Sequence, residues 1–302
     1  MNNFNLAPVV LFVFARPEHT KKTISALLEN PEAKNTDLII YADAAKNEEQ
    51  LKSVELVNNI ITDITGFKSV VINRRTANYG LAKNIIEGVS AVCEQYGRAI
   101  ILEDDIVTSP FFLSFMNSAL TKYQNTKEVW HVSGWNYPLK DTTELPDCFL
   151  WRTMNCWGWA TWKDRWEHFE KKPKDIKKNW DSETIYKFNL DGSYNFFSQI
   201  EENITGKLDT WAIFWYATIY THNGLCLNPT KSYVVNIGND GSGENCGHND
   251  IYKSELAQKK PTIWPNIFIE DLNTLELIKR FYKANQPNYI RRILSKIKRV
   301  FL

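Results

Sequence analysis

The feature that most restricts this chain is a change of apolar period that repeats through its first hundred residues. VVLFVFA (9–15) is an unbroken apolar run, as expected of a strand covered on both faces. Residues 18–29 then follow a helical spacing, with Ile24, Leu27 and Leu28 as the buried stripe. LIIYADA (38–44) is a second apolar run, and a helical segment from Leu51 to Ile61 follows it. KSVVINR (68–74) reads as a third strand, and Leu81, Ile85, Val89 and Val92 mark a third helix. AIIL (99–102) is a fourth strand that runs directly into Glu103. Strands and helices in this rhythm form a parallel sheet with right-handed crossovers. The fold class is therefore α/β, a Rossmann-like, mostly parallel sheet flanked by helices.

Sheets of this kind hold ligands at the carboxyl ends of their strands. Three polar features fall there: Arg16 after the first strand, Asp43 after the second, and the triplet Glu103, Asp104 and Asp105 after the fourth. One acid after a strand is more often a turn or cap residue than a ligand. Three adjacent acids call for a counter-charge, and crowded carboxylates suit a hard divalent ion such as Mn²⁺ or Mg²⁺. Such an ion keeps positions open for a diphosphate. The chain has neither a P-loop nor a GxGxxG to suggest nucleotide hydrolysis or dinucleotide binding. Acids holding a metal at a strand end, without a phosphate loop, match nucleotide-sugar transfer of the GT-A type. NRRTANYGLAKN (73–84) adds Arg75 and Lys83 beside the crevice as candidate diphosphate contacts; a solvated loop is the plainer reading.

The chain has 302 residues, of which 43% are hydrophobic, enough for a sizeable core. Its net charge of +1 gives no general case for nucleic acid as a partner. Five cysteines without metal-like spacing read as free thiols of a reducing compartment. The early interruption of the first apolar run by Arg16 and Pro17 reads as a strand rather than a signal peptide, so the expected location is cytoplasmic.

Beyond the triplet, ILEDDIVTSPFFLSF (101–115) resembles the metal motif of the N-acetylglucosaminyltransferase I family of GT-A enzymes. HVSGWN (131–136) resembles that family's strand and turn after the metal site. FLWRTMNCWGWATWKDRWEHF (149–169) resembles its segment ending in a Gly-Trp helix start. KLDTWAIFW (207–215) resembles its Asp-x-Trp helix, and SYVVNIGNDGSGENCGH (232–248) its closing loop. These ordered matches cover residues 98 to 248; the first 97 residues agree in pattern, and 171–207 has no counterpart.

The resemblance implies a GT-A fold and an inverting, metal-dependent transfer from a nucleotide sugar, with UDP-N-acetylglucosamine suggested as donor. It implies Asp105 as the metal ligand and Glu103 and Asp104 as donor contacts. Asp43 falls near the acid that reads the uracil, and Asp209 at the catalytic base. Trp157, Gly158 and Trp159, with Trp211, fall at the sugar and acceptor pocket. Gly241, Gly243 and His248 belong to the closing loop. The chain departs from the family in having Asp-Thr-Trp where two acids precede the Trp, and in extra Gly and Asn residues in the loop.

On residues alone Asp209 reads as a helix N-cap, and the Trp-rich stretch as core. With the ordered matches Asp209 reads as the base, its pKa raised by desolvation at the start of an apolar helix. A retaining transferase and a non-catalytic sugar-binding protein remain alternatives. Three segments are expected: a nucleotide-sugar half (1–130), an acceptor-side half of the same domain (131–275) and a basic tail (276–302). Within the tail, residues 289–302 carry an apolar stripe opposite Arg291, Arg292, Lys296, Lys298 and Arg299. That pattern reads either as a helix docked on its own domain or as a contact with an anionic membrane surface. The expected partners are the donor, a glycan or lipid-linked glycan acceptor in surface polysaccharide synthesis, and that membrane surface.

Overall fold

The computed structural model describes residues 6–140, 142–241 and 251–285. The strands are β1 (Val9–Val13), β2 (Asp37–Ala42), β3 (Ser69–Arg74), β4 (Arg98–Glu103), β5 (Ile106–Thr108), β6 (Val129–Ser133), β7 (Cys148–Trp151), β8 (Trp159–Trp162), β9 (Leu225–Pro229) and β10 (Val234–Asn236). The first helices are α1 (Pro17–Leu28), α2 (Glu48–Thr62), α3 (Leu81–Tyr96), α4 (Phe112–Lys122) and α5 (Lys163–Trp166). They are followed by α6 (Pro173–Asn179), α7 (Ser182–Phe188), α8 (Phe197–Ile204), α9 (Ala212–Thr221) and α10 (Leu272–Asn285).

The four strands expected from the apolar runs pair in parallel in the order β3-β2-β1-β4. Every residue of β1 is buried, because the strand is flanked by β2 and β4 and its faces are covered. β3 lies at the sheet edge, which explains its partly exposed pattern. Local chemistry sets the helix ends. Pro17 starts α1, the Asn47 side chain caps α2 by accepting from the Gln50 N–H, and left-handed Gly97 stops α3. Ile24 and Leu27 are buried as expected, but Leu28 is exposed on the rim of α1.

The sheet continues past β4 through β8, β6, β9 and β7, eight strands in all. β8 runs antiparallel to β4 and β6, and β7 antiparallel to β9; the other six strands share one direction. The sheet is therefore mostly parallel and spans both expected halves. WATW forms this central β8, not the start of a helix. Ile101 pairs with Trp159, and Trp159 with Ser133. Glu103, Trp157 and Trp135 thus each lie two residues beyond one row of the ladder, at the same edge of the sheet. That row positions the site.

The basic tail expected from residue 276 begins inside α10, whose Ile278 and Tyr282 are buried against the domain. The proposed membrane contact at 289–302 lies outside the described residues, as do Gly243 and His248. No helix among the described residues is long and apolar enough to cross a membrane.

Candidate active site

β4 delivers its three acids to different surroundings. Asp104 accepts from the Phe14 N–H at 3.1 Å and from the Arg16 guanidinium, and Asp105 pairs with Arg16 Nη1 at 2.9 Å. The counter-charge that the triplet calls for therefore comes from the end of β1, where Pro17 turns the chain into α1. Asp104 and Asp105 are both buried. Burial works against the charge on Arg16, but the two carboxylates outweigh it and hold the guanidinium pKa above its ordinary value. Glu103 retains partial solvent access, yet the protein around it desolvates the carboxyl. Burial, then the charges of Asp105 and Asp104, push its pKa up to about 8, and Arg16 offsets part of that rise.

One oxygen remains open. Asp105 Oδ1 is buried and has no hydrogen-bond partner, while Oδ2 carries the pair with Arg16. An unpartnered buried carboxylate oxygen costs free energy unless a donor or cation meets it. No group of three or more His, Cys, Asp or Glu among the described residues converges on a common point. The unpartnered Asp105 Oδ1 alone fits an ion that takes one carboxylate oxygen from the protein and the rest of its shell from water and phosphates. Mg²⁺-type ions bind in this way, through one or two carboxylates.

A second layer covers the acids. β10 pairs antiparallel with β5, which follows directly on the triplet, and Ile237 donates its N–H to the Asp105 carbonyl at 2.9 Å. This brings Gly238 against Asp105, so closely that a Cβ there would overlap Oδ2 and lie 2.9 Å from Arg16 Nη1. His19 of α1 meets Asp240 at 3.1 Å and ties the same loop to the first helix. Gly241 follows at φ 86°, a left-handed position that suits glycine.

The other expected contacts separate into two classes. Asp43 is buried, and its carboxylate accepts from the N–H groups of Ala44, Tyr79 and Gly80 and from Asn78 Nδ2, at 2.8–3.3 Å. Four internal donors use the lone pairs that a base would need. Asp43 therefore anchors the turn that begins α3. Arg75 is partly engaged: its Nε donates to Asn84, its Nη1 pairs with Glu87 at 3.4 Å and its plane lies on the rings of Tyr79 and Tyr41, but Nη2 is buried without a partner. Lys83 is exposed and sits 4.1 Å from the Tyr79 ring centroid. Tyr79, a residue that sequence reasoning passed over, thus organises both cations.

On the acceptor side the tryptophans divide in the same way. Trp159 and Trp211 are buried and stack on each other at 5.1 Å inside the core. Gly158 has φ 59°, and a Cβ would meet Val234, Phe112 and Leu102 at 2.9–3.3 Å. The close packing beside β4 thus requires glycine here. Trp157 is half-buried and does line a cavity, of about 270 Å³, together with Trp135, Asn155 and Tyr252. Asp209 is neither a cap nor desolvated. The N-cap of α9 is Trp211, and the Asp209 side chain is 78% exposed and paired with Lys171.

The model of the GNT-I family matches residues 2–187. An alpha-1,3-mannosyl-glycoprotein 2-beta-N-acetylglucosaminyltransferase of Arabidopsis thaliana is 26% identical over 243 residues, 70% of this chain and 53% of that protein. The chain thus spans about half the length of this curated relative. A mannosyltransferase from Pyrobaculum calidifontis, solved with GDP-Man and Mn²⁺, shows 9% identity and a TM-score of 0.39 over 71% of this chain and 70% of that one. The match over 2–187 takes in β1 through α6, most of α7 and the whole acid row: the chain belongs to the GNT-I family.

Proposed function

We propose that the protein is an inverting glycosyltransferase that moves a sugar from a nucleoside-diphosphate sugar, a UDP-sugar such as UDP-N-acetylglucosamine, to a hydroxyl of a glycan or lipid-linked glycan in surface polysaccharide synthesis. The observation that carries this reading is the open, buried Oδ1 of Asp105 at the carboxyl edge of β4, in a chain of the GNT-I family. Asp105 would hold a divalent ion, Mn²⁺ or Mg²⁺. Such an ion, when bound, neutralises charge on the diphosphate leaving group. Arg16 and Arg75 supply fixed positive charge for the same diphosphate. Glu103 and Asp104 orient the donor, with Arg16 holding Asp104 in place.

An acceptor hydroxyl must lose its proton as the new bond forms, which requires a base on the face opposite the leaving group. Asp209 is proposed for that role. Its exposure leaves it accessible, and its carboxylate pairs with Lys171. In an enzyme of this type, Asp209→Asn abolishes turnover, measured as release of nucleoside diphosphate in the presence of acceptor, while the variant still binds donor. Full turnover by the variant would exclude Asp209 as the base.

A further inference from the structure

Independently of the transferase reading, we infer that residues 262–272 form a docking surface for an anionic phospholipid membrane. This surface is distinct from the basic tail. Exposure is the first argument. Ile263, Ile267, Ile269 and Leu272 are each 64–73% exposed. Phe268 apart, the other exposed large hydrophobic residues among the described ones are spread thinly over residues 28–186. Four apolar side chains open to water within ten residues mark a contact surface rather than ordinary scatter.

The second argument is the support beneath them. The Thr262 and Ile263 N–H groups donate to Asp147 at 2.7 and 3.0 Å, and the Asp271 N–H donates to the Leu150 carbonyl at 2.8 Å. The chain from Thr262 to Asp271 thus joins two points of the edge strand region three residues, roughly 10 Å, apart, and must arch between them. Within the arch Trp264 stacks on Phe115 at 5.6 Å, and Tyr123 donates to the Pro265 carbonyl at 2.8 Å. Such anchors fix the backbone before binding, so little ordering is left for the contact itself.

The third argument is charge. Lys122 donates to Asn266 Oδ1 at 3.0 Å beside the arch, and the exposed Lys259 and Lys260 lead into it. The acids within it are engaged: Glu270 pairs with Arg152, and Asp271 accepts from the Thr274 N–H in the first turn of α10. Lys260 reaches Glu32 only at 3.9 Å. An apolar crest with a lysine rim fits an anionic leaflet, where apolar side chains enter the acyl boundary and ammonium groups meet lipid phosphates. The same charges disfavour other occupants. Residues 286–302 hold five basic residues and no acid, which lysines repel, and a two-fold contact between copies sets lysine rims together. Four apolar side chains also fall short of the roughly twenty residues a side of a stable protein interface.

Vesicle co-sedimentation of the whole protein tests the inference, with phosphatidylcholine alone and with phosphatidylglycerol added. The protein should bind the anionic vesicles, and the zwitterionic ones roughly tenfold more weakly or not at all. Ile267→Ser with Ile269→Ser, and Lys259→Gln with Lys260→Gln, should each weaken anionic binding roughly tenfold, while Leu51→Ser, exposed on α2, leaves it unchanged. Both pairs are exposed and should leave thermal unfolding as it is. The inference is overturned if anionic vesicles do not bind, if zwitterionic vesicles bind equally well, or if the isoleucine pair binds like the parent protein. It is also overturned if light scattering shows a dimer that the isoleucine pair dissolves, because a second copy then covers the surface. Vesicle binding needs no donor, so failure of the transferase reading and failure of this one are read separately.

Discussion

At the scale of single residues, Arg16 and His131 carry charge states that the fold enforces. Arg16 neutralises Asp104 and Asp105, so Arg16→Ala leaves two buried acids uncompensated. Breaking a buried pair costs about 3 kcal/mol, and urea unfolding should show a loss of that order. Because the vacated acids attract cations more strongly, Mn²⁺ should raise the melting temperature of the variant more than that of the parent protein. His131 is fully buried, with Nδ1 accepting from Trp215 Nε1 at 3.2 Å and Nε2 therefore donating to the Asn155 carbonyl at 3.1 Å. Burial lowers its pKa to about 3, against an offset from the Asn155 carbonyl, and a second ring proton would face the Trp215 N–H. The unfolded chain binds the proton first, at about 6.5. Stability from His131 is thus complete above that value and falls as pH drops towards about 3, at about 1.4 kcal/mol per pH unit. Urea titrations at pH 7 and pH 5 should show the fall, and His131→Gln should flatten it. The need for a cation beside the acid triplet was legible in the sequence. That Arg16 meets it was not, because 88 residues separate Arg16 from Asp104 and only the β1–β4 pairing closes that gap.

At the scale of elements, the sequence was most legible where one period persisted. β1, β2, β4 and α3 follow their apolar spacing, and the strand-end rule placed the acids correctly. WATW failed because four buried residues in a row fit a central strand and a buried helix equally well; the flanking left-handed Gly158 decides for the strand. That Asp209 is exposed and that Trp159 and Trp211 pack in the core was hidden for a related reason. Motif order locates a segment but does not say which side chains face the cleft. The β5–β10 ribbon is the element most open to test, since it presses Gly238 onto Asp105. Gly238→Ala must push the loop away from the acids, so donor affinity should fall roughly tenfold or more, about 1.4 kcal/mol. Unfolding should be nearly unchanged, because the loop can move without opening the core. Equal donor affinity, by calorimetry, would show that the ribbon takes no part in holding the donor.

At the scale of the molecule, one sheet runs through both stretches of the chain, and the antiparallel β8 joins β4 to β6. Its reversal puts Trp157 beside Glu103, so an aromatic cavity and an acid row share an edge although they are separated by more than fifty residues of sequence. The aromatics of that cavity come from well-spaced segments with no common period, which is why the sequence shows the acids and hides the box. The account stands on Asp105 and its open oxygen. The most direct test is calorimetric titration of UDP-N-acetylglucosamine and related nucleotide sugars into the parent protein with Mn²⁺, into the same protein with EDTA, and into Asp105→Asn with Mn²⁺. The account predicts binding in the first case and loss in the other two. Binding of equal strength in all three, or of no nucleotide sugar in the first, would contradict it.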